Sequence, residues 1–164
     1  MRAMVTAERL REFLAYDPET GLFTYLKTRG GKLPGMVAGT TNNGGYTIIS
    51  VDDRSYSAHR LVWLHVHGKW PDGTIDHLNC IKTDNRLSNL RDVPMGINTQ
   101  NQRRPNRRNT TGFMGVSFKK KDSMYVAQIR INRKHIYIGS FKKAEDAYEA
   151  YLQAKRRLHP GCTI

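Results

Sequence analysis

Cysteine is nearly missing from this chain. Of 164 residues only Cys80 and Cys162 carry a thiol, far apart and in no CxxC pair, a spacing that supports neither a disulfide framework nor a structural zinc site. No apolar run approaches the roughly 20 residues that a membrane-spanning helix needs. The start, Met1 to Phe13, carries charges of both signs where a secretion signal is apolar. These absences point to a soluble, reducing, intracellular setting with no membrane partner. Acidic residues are scarce in one region: residues 102–164 hold 4 Asp and Glu against 15 Lys and Arg, while residues 1–101 hold 10 against 12. The formal charge of +13 therefore belongs to the C-terminal third. Such a surface attracts a polyanion such as nucleic acid and releases counterions on binding, or it serves only as a soluble basic face.

What is present reads as alternating short helices and strands, an α+β pattern. Thr6 is placed to cap a helix running to about Tyr16, with Leu10, Phe13 and Leu14 on its apolar face. Asp17 to Gly21 carries turn chemistry, and Leu22 to Leu26 reads as a strand. Six glycines between Arg29 and Gly45 lack the strand, helix and Lys-Ser/Thr context of a phosphate-cradling loop, so they read as turns. A hairpin follows, Tyr46 to Val51 and Ser55 to Ala58, and then a helix from Arg60 to His67 for which Ser57 or a neighbour supplies the cap. Residues 102–111 contain four arginines and no apolar residue, and read as a linker. Three strand-like runs come next, Met114 to Phe118, Tyr125 to Ile131 and His135 to Ile138. A helix from Ala144 to Leu158 closes the chain, burying Ala147, Tyr148, Ala150, Tyr151, Ala154 and Leu158.

The stretch that carries chemistry is Thr74-Ile75-Asp76-His77-Leu78-Asn79, with Asn89 and Asn98 downstream. A strand ending near Asp76 and His77, a second strand at Leu90 to Val93 and a short helix from Met95 to Gln102 are expected to bring a carboxylate, an imidazole and an amide onto one spot. The segment resembles the HNH nucleases, whose ββα-metal fold holds one divalent cation, and within them the phage homing-endonuclease branch, where the motif reads Asp-His, then Asn, then Asn. The strings Ala58-His59-Arg60-Leu61-Val62-Trp63 and Ser88-Asn89-Leu90-Arg91 extend the resemblance to residues 55–102. Two departures stand out: Asn98 occupies a place where many relatives have histidine, and Cys80 one where they usually have glycine.

The resemblance implies Asp76 and Asn98 as metal ligands, His77 as general base, and Asn89 holding either the His77 ring or its loop through a hydrogen bond. Oxygen donors of that kind suit Mg²⁺ or Mn²⁺, and zinc is not expected. A neutral imidazole is suited to taking a proton from the attacking water. His59 either approaches the phosphate or metal, or packs beside the helix start.

The last 50 residues carry a second resemblance. Gly115-Val116-Ser117-Phe118, Tyr125 to Arg130, Ile136 to Phe141 and Ala144-Glu145-Asp146-Ala147 are similar to the AP2 domain, a three-stranded antiparallel sheet backed by one helix whose sheet lies in the DNA major groove. Period-two alternation with Tyr125, Ala127, Ile129 and Ile131 on the helix turns Gln128 and Arg130 outward. The resemblance adds Ser117, Lys119, His135 and Tyr137 as contacts. Lys121, with Lys120, Arg133 and Lys134, is expected on phosphates, as are Arg103, Arg104, Arg107 and Arg108 of the linker. The expected organisation is therefore an N-terminal segment 1–54, an HNH module 55–102, a basic linker 103–111 and an AP2-like module 112–164.

The two resemblances imply a metal-dependent endonuclease acting on double-stranded DNA in the cytoplasm of a bacterial host, with no protein partner implied. The alternative is a non-catalytic AP2-type DNA-binding regulator in which the HNH segment is scaffold. An RNA-binding protein is weaker, because single-strand stacking motifs are absent.

Overall fold

The computed structural model describes residues 4–102 and 104–163, the side chain of Thr99 excepted. Arg103, one of the expected phosphate contacts, lies outside the described residues. The chain divides into two compact units, residues 1–95 and 96–164. No helix among the described residues is long and apolar enough to cross a membrane.

In the first unit, α1 (Ala7–Phe13) is capped as its sequence indicates, Thr6 Oγ1 accepting from Arg9 N at 3.2 Å. It is shorter than expected. Leu14–Asp17 leaves the helix to become β1, paired antiparallel with β2 (Leu22–Tyr25). Leu14 is thereby buried against the core from a strand. The strands β3 (Thr40–Thr41), β4 (Thr47–Val51) and β5 (Arg54–Ser57) form an antiparallel sheet in that order. The helix α2 (Ala58–His67) follows β5 directly. Ser57 is its N-cap residue but makes no side-chain cap bond, and the helix stops at Gly68, whose N–H donates to Leu64 O. Leu61, Val62 and Leu64 are buried while Val66 is exposed, so α2 has one wet side. β6 (Thr74–His77) and β7 (Leu90–Val93) make a hairpin whose long connection carries a single 3₁₀ turn at Leu87–Asn89.

The division expected between residues 54 and 55 falls inside one core. Val5, Leu10, Leu14, Phe23, Ile49 and Val51 pack in the same cluster as Ala58, Leu61, Leu64, Ile75 and Leu90. A four-stranded or smaller piece with so few large apolar side chains buries too little surface to stand alone, so the early segment and the motif segment complete each other.

The second unit begins within α3 (Met95–Gln100) and contains β8 (Val116–Lys119), β9 (Met124–Ile131) and β10 (Lys134–Phe141), antiparallel with β9 central, and α4 (Ala144–Leu158). Val116, Ala127, Ile129, Ala147 and Tyr151 form its core. Gly115, at φ +70°, must be glycine: a Cβ there would stand 2.0 Å from Tyr151 Cδ2. The expected linker is partly built into this unit. Asn109 accepts on Oδ1 from Thr111 N (3.1 Å) and Gly112 N (2.7 Å), and its Nδ2 donates to Phe113 O (2.8 Å). One amide side chain thus satisfies a turn that has no ladder of its own. Lys155 is 2% exposed within the α4 face, its ammonium donating to Gln102 O, a buried lysine that apolar periodicity gave no reason to expect.

Candidate active site

The β6–β7 hairpin assembles three of the expected residues. Asp76 and His77 end β6 and Asn89 immediately precedes β7, and all three are buried. Asn89 holds the loop: its Oδ1 accepts from Asn79 N at 3.0 Å and its Nδ2 donates to Asp84 O at 2.8 Å. Of the two tasks open to it, these bonds give it the loop, while the His77 ring is held by Asn85, a residue sequence reasoning passed over. His77 Nε2 lies 3.3 Å from Asn85 Oδ1, and Asn85 Nδ2 donates to Thr83 O at 3.2 Å. With its NH₂ so engaged, Asn85 presents a carbonyl oxygen to the ring. That oxygen only accepts, so the contact is a hydrogen bond when the ring proton sits on Nε2. Burial pushes the His77 pKa down, opposed by Asn85 and by the Asp76 and Asp84 charges.

Asn85 is itself fixed from the early segment. The Tyr16 hydroxyl donates to Asn85 O and accepts from Leu87 N, both at 2.9 Å. Gly21, at φ +74°, lets the β1–β2 turn press on the same loop: a Cβ at this position would come within 2.5 Å of Arg86 N. The link could not be found from the motif, because it spans about 70 residues of chain and uses a tyrosine with no local signal.

Asp76 faces Arg91 across the hairpin, directly paired in register. Arg91 Nη2 and Nε donate to Asp76 Oδ2 at 2.7 and 2.9 Å. A carboxylate this enclosed demands a cation, and its hard oxygens are the donors a divalent ion such as Mg²⁺ takes. Among the described residues no group of three or more His, Cys, Asp or Glu is placed to hold a metal ion. Asn98 lies half-buried in α3, its carbonyl accepting from Asn101 N at 3.1 Å, and belongs to the second unit.

His59 sits in the first turn of α2, 9% exposed, its ring edge-on to His77 with centroids 5.2 Å apart. Burial, then the neighbouring His77 and Arg60, lower its pKa to about 4. Its Nδ1 is buried with no hydrogen-bond partner among the described residues. Cys80 takes φ +62° in the turn after His77, the backbone region that glycine enters without a Cβ penalty.

In the second unit the register gathers the outward residues. Ser117 stands opposite Val126, Gln128 opposite Tyr137 and Arg130 opposite His135, and directly paired residues project to one side. Lys119 lies two residues beyond Ser117 on the same side. Ala127 and Ile129 enter the core on the other side, so this face is turned from α4. Ser117, Lys119, Arg130, His135 and Tyr137 are exposed and Gln128 is half-buried. Lys121 is exposed in the β8–β9 turn, and Arg104, Arg107 and Arg108 are exposed ahead of the sheet.

The first unit thus presents buried Asp76 and His77 at the end of β6, Asp76 bound by Arg91 and His77 beside Asn85. Residues 56–100 match a family model described as HNH endonuclease. That match supports a nuclease function for this segment. Comparison with characterised protein sequences and with solved structures returned no match.

Proposed function

We propose that this chain is a metal-dependent DNA endonuclease of the HNH homing type, with the outer face of the β8–β9–β10 sheet, AP2-like, as its reading surface. The observation that carries the reading is the placement of His77: a buried imidazole beside Asp76 at the end of β6, its Nε2 3.3 Å from Asn85 Oδ1, an arrangement in which Nδ1 is the basic nitrogen. His77 Nδ1 removes a proton from water as the water oxygen bonds to phosphorus. The P–O3′ bond breaks, giving a 5′ phosphate and a 3′ hydroxyl once the leaving oxygen is protonated from solvent. Such general-base assistance is worth about 10²- to 10⁴-fold in rate.

Asp76 provides the carboxylate ligand, and by the HNH resemblance Asn98 provides the amide oxygen. A bound Mg²⁺ or Mn²⁺ supplies charge stabilisation to the phosphoryl and leaving oxygens. Asn89 keeps the 79–84 loop closed, and Asn85 keeps His77 aimed.

Duplex DNA is the substrate this reading requires. The basic charge of residues 102–164 and the polar outer sheet face favour it, since a two- or three-stranded ribbon fits the major groove. Incubating the full chain with supercoiled plasmid and Mg²⁺ yields relaxed or linear DNA. Conversion no greater than that of His77→Ala overturns the nuclease reading and leaves the DNA-binding regulator.

A further inference from the structure

Lys82 is an exposed lysine whose ammonium is nonetheless fixed. Its Nζ donates to Gly44 O at 2.8 Å and lies 4.6 Å from the centroid of the Tyr46 ring. A lysine side chain in solvent gives up rotamer entropy to be held in this way. Both ends of the contact are built to hold it. On one side the Asn42–Tyr46 turn is closed by Tyr46 N donating to Asn42 Oδ1 (3.0 Å), Asn42 N to Tyr46 O (2.9 Å) and Gly45 N to Asn42 O (2.9 Å). On the other, Asn79 ties the loop bearing Lys82, accepting from Ile81 N (2.8 Å) and donating to Asp84 Oδ2 (2.7 Å).

The same Tyr46 ring reaches the candidate catalytic histidine. Its centroid is 6.2 Å from that of His77 and 5.4 Å from that of His59. Lys82 Nζ therefore lies within about 11 Å of the His77 ring by the triangle of these distances. That is a span of a few nucleotides at most, at roughly 3.4 Å of helix axis per nucleotide of one strand. No ion pair involves Lys82 among the described residues. Its charge also acts on His77, where it opposes protonation.

We propose that Lys82, held by the Gly44 carbonyl and the Tyr46 ring, binds a DNA backbone phosphate flanking the one that is cut, and that the Asn42–Tyr46 turn serves to position it. The inference rests on the nuclease reading for the placement of the scissile phosphate. It gives the early segment a direct part in substrate binding: the glycine-rich stretch is a strut for a cation. An ammonium is a point donor that suits phosphate without reading sequence.

The test is the salt dependence of duplex binding by the full chain in chelator, where cleavage plays no part. Lys82→Gln lowers the magnitude of the log K against log salt slope by roughly 0.9 on B-form DNA and weakens binding alike on unrelated sequences. Tyr46→Phe, which keeps the ring, retains the wild-type slope. Tyr46→Ala loses part of it, and adding Tyr46→Ala to Lys82→Gln lowers it no further, the signature of a residue acting through another. In cleavage assays Lys82→Gln raises KM by more than it lowers kcat. A Lys82→Gln slope equal to wild type overturns the proposal, and slope losses for Tyr46→Ala and Lys82→Gln that simply add overturn the positioning role. Plasmid cleavage by wild type is read separately: cleavage with an unchanged Lys82→Gln slope defeats this inference alone, and a lost slope without cleavage defeats the nuclease reading alone.

Discussion

Asp76 and Arg91 stand directly opposite each other on β6 and β7, and two guanidinium nitrogens close on a single carboxylate oxygen at 2.7 and 2.9 Å. The aspartate side chain is 7% exposed and the arginine 25%. Removing the arginine leaves a buried carboxylate with its main cation gone, which costs on the order of 1 to 3 kcal/mol for a pair with this much solvent access. Arg91→Gln therefore lowers the melting temperature in chelator. A divalent ion that binds Asp76 replaces the lost charge and stabilises by mass action, so Mg²⁺ or Mn²⁺ raises the melting temperature of Arg91→Gln more than that of wild type. Equal metal responses in the two proteins remove Asp76 from the ligand set.

Asn85 carries the orientation of His77, and substitutions there separate aim from basicity. Asn85→Ala removes the acceptor for Nε2–H and lowers the plasmid cleavage rate by roughly 10- to 100-fold, the usual effect of losing an orienting partner. Because burial holds the His77 pKa below its ordinary value, the acid limb of the wild-type pH–rate profile falls below about pH 6.5. Asn85→Asp sets a carboxylate charge against Nε2, favours the imidazolium and moves that limb upward. A limb unmoved by Asn85→Asp shows that a group other than His77 is the base.

Much of the second unit was legible because one periodicity ruled each element. Ala147, Tyr151 and Ala154 recur at helical spacing and Ala127 and Ile129 at strand spacing, and all five are buried where those periods place them. The hairpin of Asp76 and His77 was legible from Ile75 and Leu90, which enter the core on paired strands. What escaped depends on distant chain. Leu14 has the right spacing for α1, yet the pairing of β1 with β2 outcompetes one more helical turn. Tyr16, Arg91 and Lys82 act through partners 15 to 71 residues away or through rings that sequence does not align, and no window of residues holds that information.

His59 makes acid the first challenge to the first unit. Its pKa is lowered to about 4, chiefly by burial, against about 6.5 in the unfolded chain. The folded state then binds fewer protons than the unfolded one between these values. Stability from this group is full above about pH 6.5 and is lost as pH falls toward 4, amounting to on the order of 3 kcal/mol. His77, shifted in the same direction, adds to the loss. His59→Gln, which cannot titrate, flattens the decline in denaturant midpoint between pH 6.5 and 4. A decline as steep as that of wild type would assign the acid sensitivity elsewhere.

The arginines ahead of the sheet and the residues on its face should separate by what they do to specificity. Arg104, Arg107 and Arg108 are exposed in the segment that leads into the turn closed by Asn109. Long cationic side chains on such a segment suit phosphates, which carry no sequence. Changing these three and Arg103 to Gln together weakens binding on all duplexes alike and lowers the salt slope by roughly 0.9 for each phosphate no longer neutralised. Gln128 and Tyr137 instead face each other in register at the centre of the outer sheet face, where side chains reach base edges if the sheet enters the major groove. Gln128→Ala leaves the slope nearly constant and narrows the gap between preferred and random sequence, by about 1 to 3 kcal/mol for each base no longer read. Binding selection from a randomised duplex pool, run for both variants, distinguishes them. A Gln128→Ala protein that selects the same sequences with the same preference moves base reading off this sheet.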